Sequence, residues 1–175
     1  MKTYLYIASQ IFGTCGFIIS LIAYHRKTKK KILRNMVLSN ILNLIHYLLL
    51  GAYSGCITKL LAIFRDCFII FKKNCNNFLN YFYLIFFIIL YIIASIFTFN
   101  GILSILPLLA ALIYTIFIWN GNELRLKKIA FICYFIWLIY NIFVMSISGI
   151  VSNVISIVST LIAIKNEKRR CKLYE

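Results

Sequence analysis

Acidic residues are scarce in this chain. Only four of its 175 residues are Asp or Glu, against 19 Lys and Arg, and charged residues together make up 13%. Soluble domains carry about 25% charged residues, so this composition argues against a water-soluble protein. Scarce acids also leave no paired carboxylates for acid–base or metal-assisted hydrolysis, and we expect no enzyme activity.

Cysteine, proline and glycine give no sign of a linker, a redox pair or a metal site. Proline occurs once and glycine seven times, so no segment resembles a linker or a low-complexity tail. The six cysteines form no C-x-x-C pair and show no spacing typical of zinc ligands. We interpret them as small apolar residues, and we expect neither a metal nor a cofactor.

Long uncharged apolar runs dominate instead. Residues 78–121 contain no charge, and neither do residues 4–24 and 129–164. The hydrocarbon core of a membrane is roughly 30 Å thick, so runs of this length predict transmembrane helices. Strict apolar–polar alternation is absent, which excludes a transmembrane barrel. The first run is longer than the apolar core of a signal peptide, and we expect an uncleaved first span.

The runs divide into seven predicted spans in an all-α membrane protein. They lie at residues 4–24, 33–52, 55–71, 78–99, 102–119, 129–147 and 149–165. The third and seventh are short, which leaves a re-entrant or interfacial element open for each.

Basic residues predict the orientation of these spans. Sixteen of the 19 Lys and Arg residues fall on one side of the predicted membrane. Cytoplasmic loops carry the excess of Lys and Arg, so we expect the N-terminus outside and the C-terminus in the cytoplasm. This asymmetry accounts for the net charge of +15, and no nucleic-acid partner is expected.

Two parallel halves become visible when the chain is aligned with itself at an offset of 94 residues. Ser54-Gly55 then falls on Ser148-Gly149, and Leu44-Ile45-His46 falls on Leu138-Ile139-Tyr140. The offset predicts two parallel three-helix bundles joined by a linker helix, a 3+1+3 plan. Residues 1–73 form the first repeat, 74–101 the linker, and 102–175 the second repeat with a basic tail. Transporters built from parallel repeats place their site between the repeats near the membrane midplane.

Three charges lie inside the third predicted span. Lys59, Arg65 and Asp66 each cost roughly 2.5–3.5 kcal/mol at a helix centre, so this helix cannot face lipid on that side. Intramembrane charges commonly mark solute pathways. The alternatives are a structural charge pair that locks helices, or a Lys59 side chain that extends to the interface.

Polar stripes on the second and sixth spans complete the candidate site. Each stripe offers an amide beside an aromatic ring, a lining suited to a small polar or ring-bearing solute. Such stripes can also serve only as interhelical hydrogen bonds. The candidate substrate-binding residues are Asn43, His46, Arg65, Asp66, Trp137, Tyr140 and Asn141.

Two stretches carry a resemblance to a known family: HYLLLGAY at residues 46–53 and WLIYN at residues 137–141. On these stretches the chain resembles the YgjV family of bacterial inner-membrane proteins. The resemblance implies a multi-pass location in the bacterial inner membrane. Tyr140 departs from the family pattern, since a histidine is expected there. The 3+1+3 plan is similar to that of sugar facilitators of the SWEET type and vitamin-precursor facilitators of the PnuC type, a fold-level analogy.

Together these features favour a transporter or facilitator of a small polar solute. The alternative is a non-transporting membrane receptor or assembly factor with the same bundle. The expected partners are the lipid bilayer and the solute, whose identity the sequence does not give. An oligomer is left open.

Overall fold

The computed structural model describes residues 3–26, 28–71, 77–99, 101–120 and 123–173. Seven α-helices and one short 3₁₀ helix make up these residues, without a strand among them. The helices are α1 Thr3–Tyr24, α2 Lys29–Leu50, α3 Tyr53–Phe71, α4 Asn77–Phe97, α5 Ile105–Asn120, α6 Glu123–Phe143 and α7 Ile147–Leu173, with the 3₁₀ turn Ile102–Ser104 before α5. The predicted all-α class is confirmed.

Five of these helices are long and apolar enough to cross a membrane. The stretches are Thr3–Ala23, Lys29–Leu50, Ile102–Trp119, Leu124–Phe143 and Ile147–Asn166. The seventh helix, predicted as short, therefore has a full-length apolar stretch. Helix α3 contains three charged residues, and the described apolar stretch of α4, Tyr81–Phe97, is shorter. Full crossings by α3 and α4 stay predictions.

Helix α6 differs from the predicted span 129–147. It begins at Glu123 and ends at Phe143, four residues earlier than predicted. Met145 ends it because its φ of 56° lies in the left-handed region, where a right-handed helix cannot continue. Ser146 then caps α7, since its hydroxyl accepts a hydrogen bond from the backbone N–H of Gly149 at 3.0 Å.

Pairwise packing arranges six of the helices in a closed ring. Helix α2 packs between α1 and α3, and α6 packs between α5 and α7. The ring closes through two further contacts, α1 with α7 and α3 with α5. Helix α4 packs against α3 and α5, on the outside of the ring where these two helices meet. A two-fold rotation would exchange the two closing contacts, but the 3+1+3 organisation itself stays a prediction.

The turns before α3 and α7 have the same geometry at the offset of 94 residues. Gly51 has a φ of 71° where Met145 has 56°. The N–H of Gly51 bonds the carbonyl of Leu48 and that of Ala52 the carbonyl of Tyr47. The corresponding bonds run from Met145 to Ile142 and from Ser146 to Asn141. These two backbone bonds of one turn thus have their counterparts one offset away in the other.

The two ends of the bundle are distinct. We name the turn end by the turns at residues 51–52, 98–99 and 144–146, which border one depression. We name the basic end by residues 25, 26, 28–31 and 123–128, where the Lys29 ammonium donates to the Trp119 carbonyl at 3.3 Å. Near the basic end, buried residues of α2, α5 and α6, among them Ile32, Ile118 and Leu126, form the apolar core.

The outer surface is apolar. Isoleucine, leucine, valine and phenylalanine side chains are widely exposed along all seven helices, for example Ile11, Phe86 and Leu161. Soluble monomers rarely expose contiguous apolar patches of more than a few hundred Å². A surface of this kind is stable against lipid, and it agrees with the membrane class that the sequence predicts.

Candidate functional site

A central cavity of about 60 Å³ lies where α1, α2, α3, α6 and α7 meet. Its lining contains four pairs of residues that are separated by the offset of 94. Both members of each pair reach the cavity, so the cavity lies where an axis relating the two halves would pass. The pairs are Asn40 with Tyr134, Asn43 with Trp137, Tyr47 with Asn141, and Lys59 with Asn153.

Tyr47 links the two halves at this cavity. Its hydroxyl donates to Asn141 Oδ1 at 2.9 Å, from α2 to α6. Its ring stacks on Trp137, with 5.5 Å between centroids and 26° between planes. Trp137 in turn meets the Tyr140 ring edge-on at 5.6 Å. Stacked and edge-on arrangements are the favoured geometries of aromatic pairs, and here they give one wall of the cavity an aromatic surface.

A second cavity of about 80 Å³ adjoins the first. Met36, Asn40, Lys59, Tyr134 and Trp137 line both. The Lys59 ammonium sits over the Trp137 ring, 3.8 Å from its centroid, and forms part of the partition between the cavities. The second cavity is otherwise lined mainly by apolar and aromatic side chains of α3, α4, α5 and α6.

Arg65 and Asp66 form a buried ion pair beside the second cavity. The guanidinium donates to Asp66 Oδ1 from Nη2 at 2.7 Å and from Nε at 2.9 Å. Arg65 Nη1 also donates to the Thr115 hydroxyl at 2.8 Å, which ties α3 to α5. Asn40 Nδ2 donates to Asp66 Oδ2 at 3.4 Å. Buried charges need such partners, and here each has them.

His46 is buried at the turn end and bridges three helical segments. Its Nδ1 lies 2.7 Å from the Ser9 carbonyl oxygen, so it donates there. Its Nε2 lies 2.9 Å from the Ser146 hydroxyl, which caps α7. With the proton on Nδ1, Nε2 accepts from that hydroxyl. The ring therefore connects α2 to α1 and to the start of α7.

Tyr140, the residue at the offset of 94 from His46, connects α6 to the start of α3 in the other half. Its hydroxyl lies 2.9 Å from the Ser54 hydroxyl and accepts the backbone N–H of Gly55 at 3.2 Å. Gly55 is offset by 94 from Gly149, whose N–H bonds Ser146. The Tyr140 hydroxyl thus bonds the backbone N–H of Gly55 directly. In the other half, His46 contacts the corresponding N–H of Gly149 only through the Ser146 hydroxyl. Tyr140 also borders the depression of about 730 Å³ at the turn end.

Residues 7–170 match the model of a family described as Imp-YgjV, a bacterial inner membrane protein. The chain belongs to this family. The match confirms the resemblance found in the sequence and places this Imp-YgjV protein in the bacterial inner membrane. No curated protein and no solved structure matches the chain at a significant level.

The predicted site residues of this Imp-YgjV chain lie in four different places. Asn43, Trp137 and Asn141 meet at the central cavity. Arg65 lines the second cavity, whereas Tyr140 borders the depression at the turn end. His46 and Asp66 are buried, and neither lines a cavity described above, because their polar atoms are used in helix-to-helix bonds. Whether any of these residues binds a solute stays a prediction.

Sequence reasoning placed Asn43, Trp137 and Asn141 in the candidate site but left out most other residues of the central cavity, among them Tyr47, Lys59 and Asn153. The repeat itself held the signal for two of them. Subtracting 94 from Asn141 gives Tyr47, and adding 94 to Lys59 gives Asn153. Applying the offset to each polar residue of one half, rather than only to identities, would have found these pairs.

Proposed function

We propose that this protein is a facilitator that moves a small polar solute across the bacterial inner membrane, between two three-helix units. The observation that carries the proposal is the central cavity, lined by four pairs of residues at the offset of 94. Transporters with parallel repeats bind their solutes at the repeat interface. An amide beside an aromatic surface is a suitable lining for a polar solute.

The contacts at the turn end support a closed state of such a facilitator. His46 joins the first half to the start of α7, and Tyr140 joins the second half to the start of α3. Both bonds cross between the proposed units at the same end of the bundle. Breaking them, together with the bonds of Tyr6 and Gln10 to the α7 turn, would let the units separate there, which is the movement that alternating access requires.

The proposal includes an orientation. The N-terminus and the turn end face the outside, and the basic end with the C-terminus faces the cytoplasm. The distribution of Lys and Arg supports it, since cytoplasmic loops carry these residues in excess.

The proposal also makes the chain a carrier rather than an enzyme or a static receptor. Asp66 is the acidic residue of α3, and its carboxylate is held by Arg65 and Asn40. It is therefore not poised as a general acid or base. A receptor differs from a carrier in one measurable respect, since its pocket opens to one side of the membrane only.

Access to the cavity from both sides tests the proposal. Ser152 lines the central cavity on α7, whereas Val158 on the same helix is exposed on the outer surface. Ser152→Cys is made in a background without the six native cysteines and treated with a membrane-impermeant methanethiosulfonate. We expect modification both in intact cells and in inverted vesicles, with Val158→Cys unreactive in each.

Two results contradict the proposal. Modification of Ser152→Cys from a single side indicates a receptor-like pocket, and modification from neither side indicates a static bundle. The substrate itself is then sought by a thermal-shift screen of purified protein, and each hit is followed as efflux from proteoliposomes.

A further inference from the structure

Lys59 is the starting point, because its charge is not neutralised by a carboxylate in the described part of the chain. The ion pair recorded there joins Arg65 to Asp66, and the contact of the Lys59 ammonium is the Trp137 ring. A cation over an aromatic face is held more weakly than one hydrogen-bonded to a carboxylate. Lys59 thus keeps donors for another partner, in a helix of an inner-membrane protein.

Asn153 supplies a second, independent observation. It is 94% buried and lines the central cavity together with Lys59. Its Nδ2 amide has no hydrogen-bond partner among the described residues. Buried polar groups in folded proteins nearly always have a partner. A donor without one, lining a cavity, indicates a missing acceptor.

The two donors come from opposite halves of the molecule. Lys59 lies on α3 and Asn153 on α7, at the offset of 94 that also relates the other cavity pairs. Both offer N–H groups, and an ammonium can only donate. Of the three charges in α3, Arg65 and Asp66 cancel as an ion pair. The positive charge of Lys59 is left at the wall shared by the two cavities.

The size of the cavities limits the ligand. They measure about 60 and 80 Å³. An apolar cavity of about 150 Å³ in another protein holds benzene. Each cavity here is smaller, so it accommodates a group of a few heavy atoms, such as a carboxylate or nitrate.

We propose that the central cavity binds a small monovalent anion, or the carboxylate of a slightly larger solute, between Lys59 and Asn153. The proposal rests on the facilitator function and names its solute class. The ammonium and the amide would both donate to the anion, and Trp137 would bound it as a flat apolar wall. On binding, the ammonium exchanges its contact with the ring for one with the anion.

Trp137 reports that exchange directly. The chain has two tryptophans, and Trp119→Phe leaves Trp137 as the single indole. The protein, purified in detergent, is titrated with sodium formate and sodium acetate, and in parallel with formamide and acetamide as uncharged analogues. Sodium gluconate, whose anion is too large for these cavities, holds the ionic strength constant. We expect a saturable change in Trp137 emission with the two anions and none with the two amides.

Variants assign the response to the two donors. Lys59→Gln should weaken the apparent affinity for acetate about tenfold or more, because a charge-assisted bond is lost. Lys59→Arg keeps the charge and should retain binding, and Asn153→Ala should weaken it several-fold. Lys165→Gln removes one positive charge from an exposed position of α7 and should change nothing.

Equal responses to acetate and acetamide overturn the proposal, as does unchanged acetate affinity in Lys59→Gln. Should Lys59→Gln fail to fold, the comparison of acetate with acetamide and the Asn153→Ala variant still decide. Anion binding without access of Ser152→Cys from both sides would leave this inference standing and overturn the facilitator function. Access from both sides without a response to anions would leave the facilitator function standing and overturn the anion site.

Discussion

Helices α3 and α7 follow similar turns but carry different chemistry. Each turn contains one residue with a positive φ, Gly51 in the first half and Met145 in the second. Helix α3 then contains three charged residues, and α7 contains neutral polar residues at the same offsets. The charged set is Lys59, Arg65 and Asp66, and the neutral set is Asn153, Ser159 and Thr160.

The difference separates what the fold needs from what it does not. Helix α7 is apolar enough to cross a membrane, while α3 is burdened by charges that each cost roughly 2.5–3.5 kcal/mol at a helix centre. Because α7 follows a similar turn and closes the same ring without charges at these three positions, the repeat does not require them. The reason for the charges of α3 therefore lies in their surroundings. Arg65 and Asp66 neutralise each other as an ion pair, and Lys59 lies at the wall between the two cavities.

The largest expected effect comes from breaking the ion pair that α7 lacks. Asp66→Asn leaves the Arg65 guanidinium buried without its carboxylate, and we expect a loss of about 3–5 kcal/mol of stability. The double variant Asp66→Asn with Arg65→Gln removes both charges and should recover most of that loss. Thermal unfolding in detergent measures both.

Thr160→Val, at the position offset by 94 from Asp66, is the matched control. It should change stability far less than Asp66→Asn, because no buried charge is left behind. If the double variant is as unstable as Asp66→Asn, the pair is not a self-contained lock. Arg65 would then act mainly through Thr115 and Tyr91, to which it also donates.

A smaller effect should follow from breaking the two links at the turn end. Tyr140→Phe removes the hydroxyl that accepts from the N–H of Gly55, and His46→Leu removes the bonds to Ser9 and Ser146. Leaving such buried groups unpaired costs about 1–3 kcal/mol. We expect His46→Leu to cost more, since the histidine makes bonds to two separate segments. Tyr81→Phe, at an exposed position of α4, should be neutral. A loss in Tyr140→Phe no larger than in Tyr81→Phe would show that the phenol link carries no stability.

Much of the architecture could be predicted from the sequence, because long apolar runs have few alternatives in a membrane protein. The all-α class and the family followed from such runs and from the stretch 46–53. The polar stripes also predicted Asn43, Trp137 and Asn141 as site residues, and all three line the central cavity. The end of α6 was predicted wrongly, because nothing in the sequence marks Met145 as a left-handed residue.

The roles of single side chains were harder to predict because their partners are distant in the chain. His46 bonds residues 37 and 100 positions away. The stripe predicted a cavity-facing histidine, but the ring is buried against Ser9 and Ser146 and lines none of the described cavities. For Lys59 the sequence left a solute pathway, a structural charge and an interfacial cation open, and its place over Trp137 depends on how α3 packs against α6. Periodicity identifies the buried face of a helix, but not which neighbour fills it.

The smallest expected effect concerns the two left-handed residues themselves. Gly51→Ala places a Cβ where nothing lies within 4 Å, so the cost is conformational and not steric with neighbours. A non-glycine residue in this region is strained by about 1–2 kcal/mol.

Met145 already bears that strain at a φ of 56°, and its side chain is 73% exposed. Met145→Gly should therefore stabilise the protein by up to about 1 kcal/mol, since little packing is lost and glycine is favoured at this position. Opposite shifts of the unfolding temperature in the two variants, each of a few degrees, would show that the turns are energetically as well as geometrically equivalent. Destabilisation by Met145→Gly would mean that the Met145 side chain, and not the backbone, holds its turn.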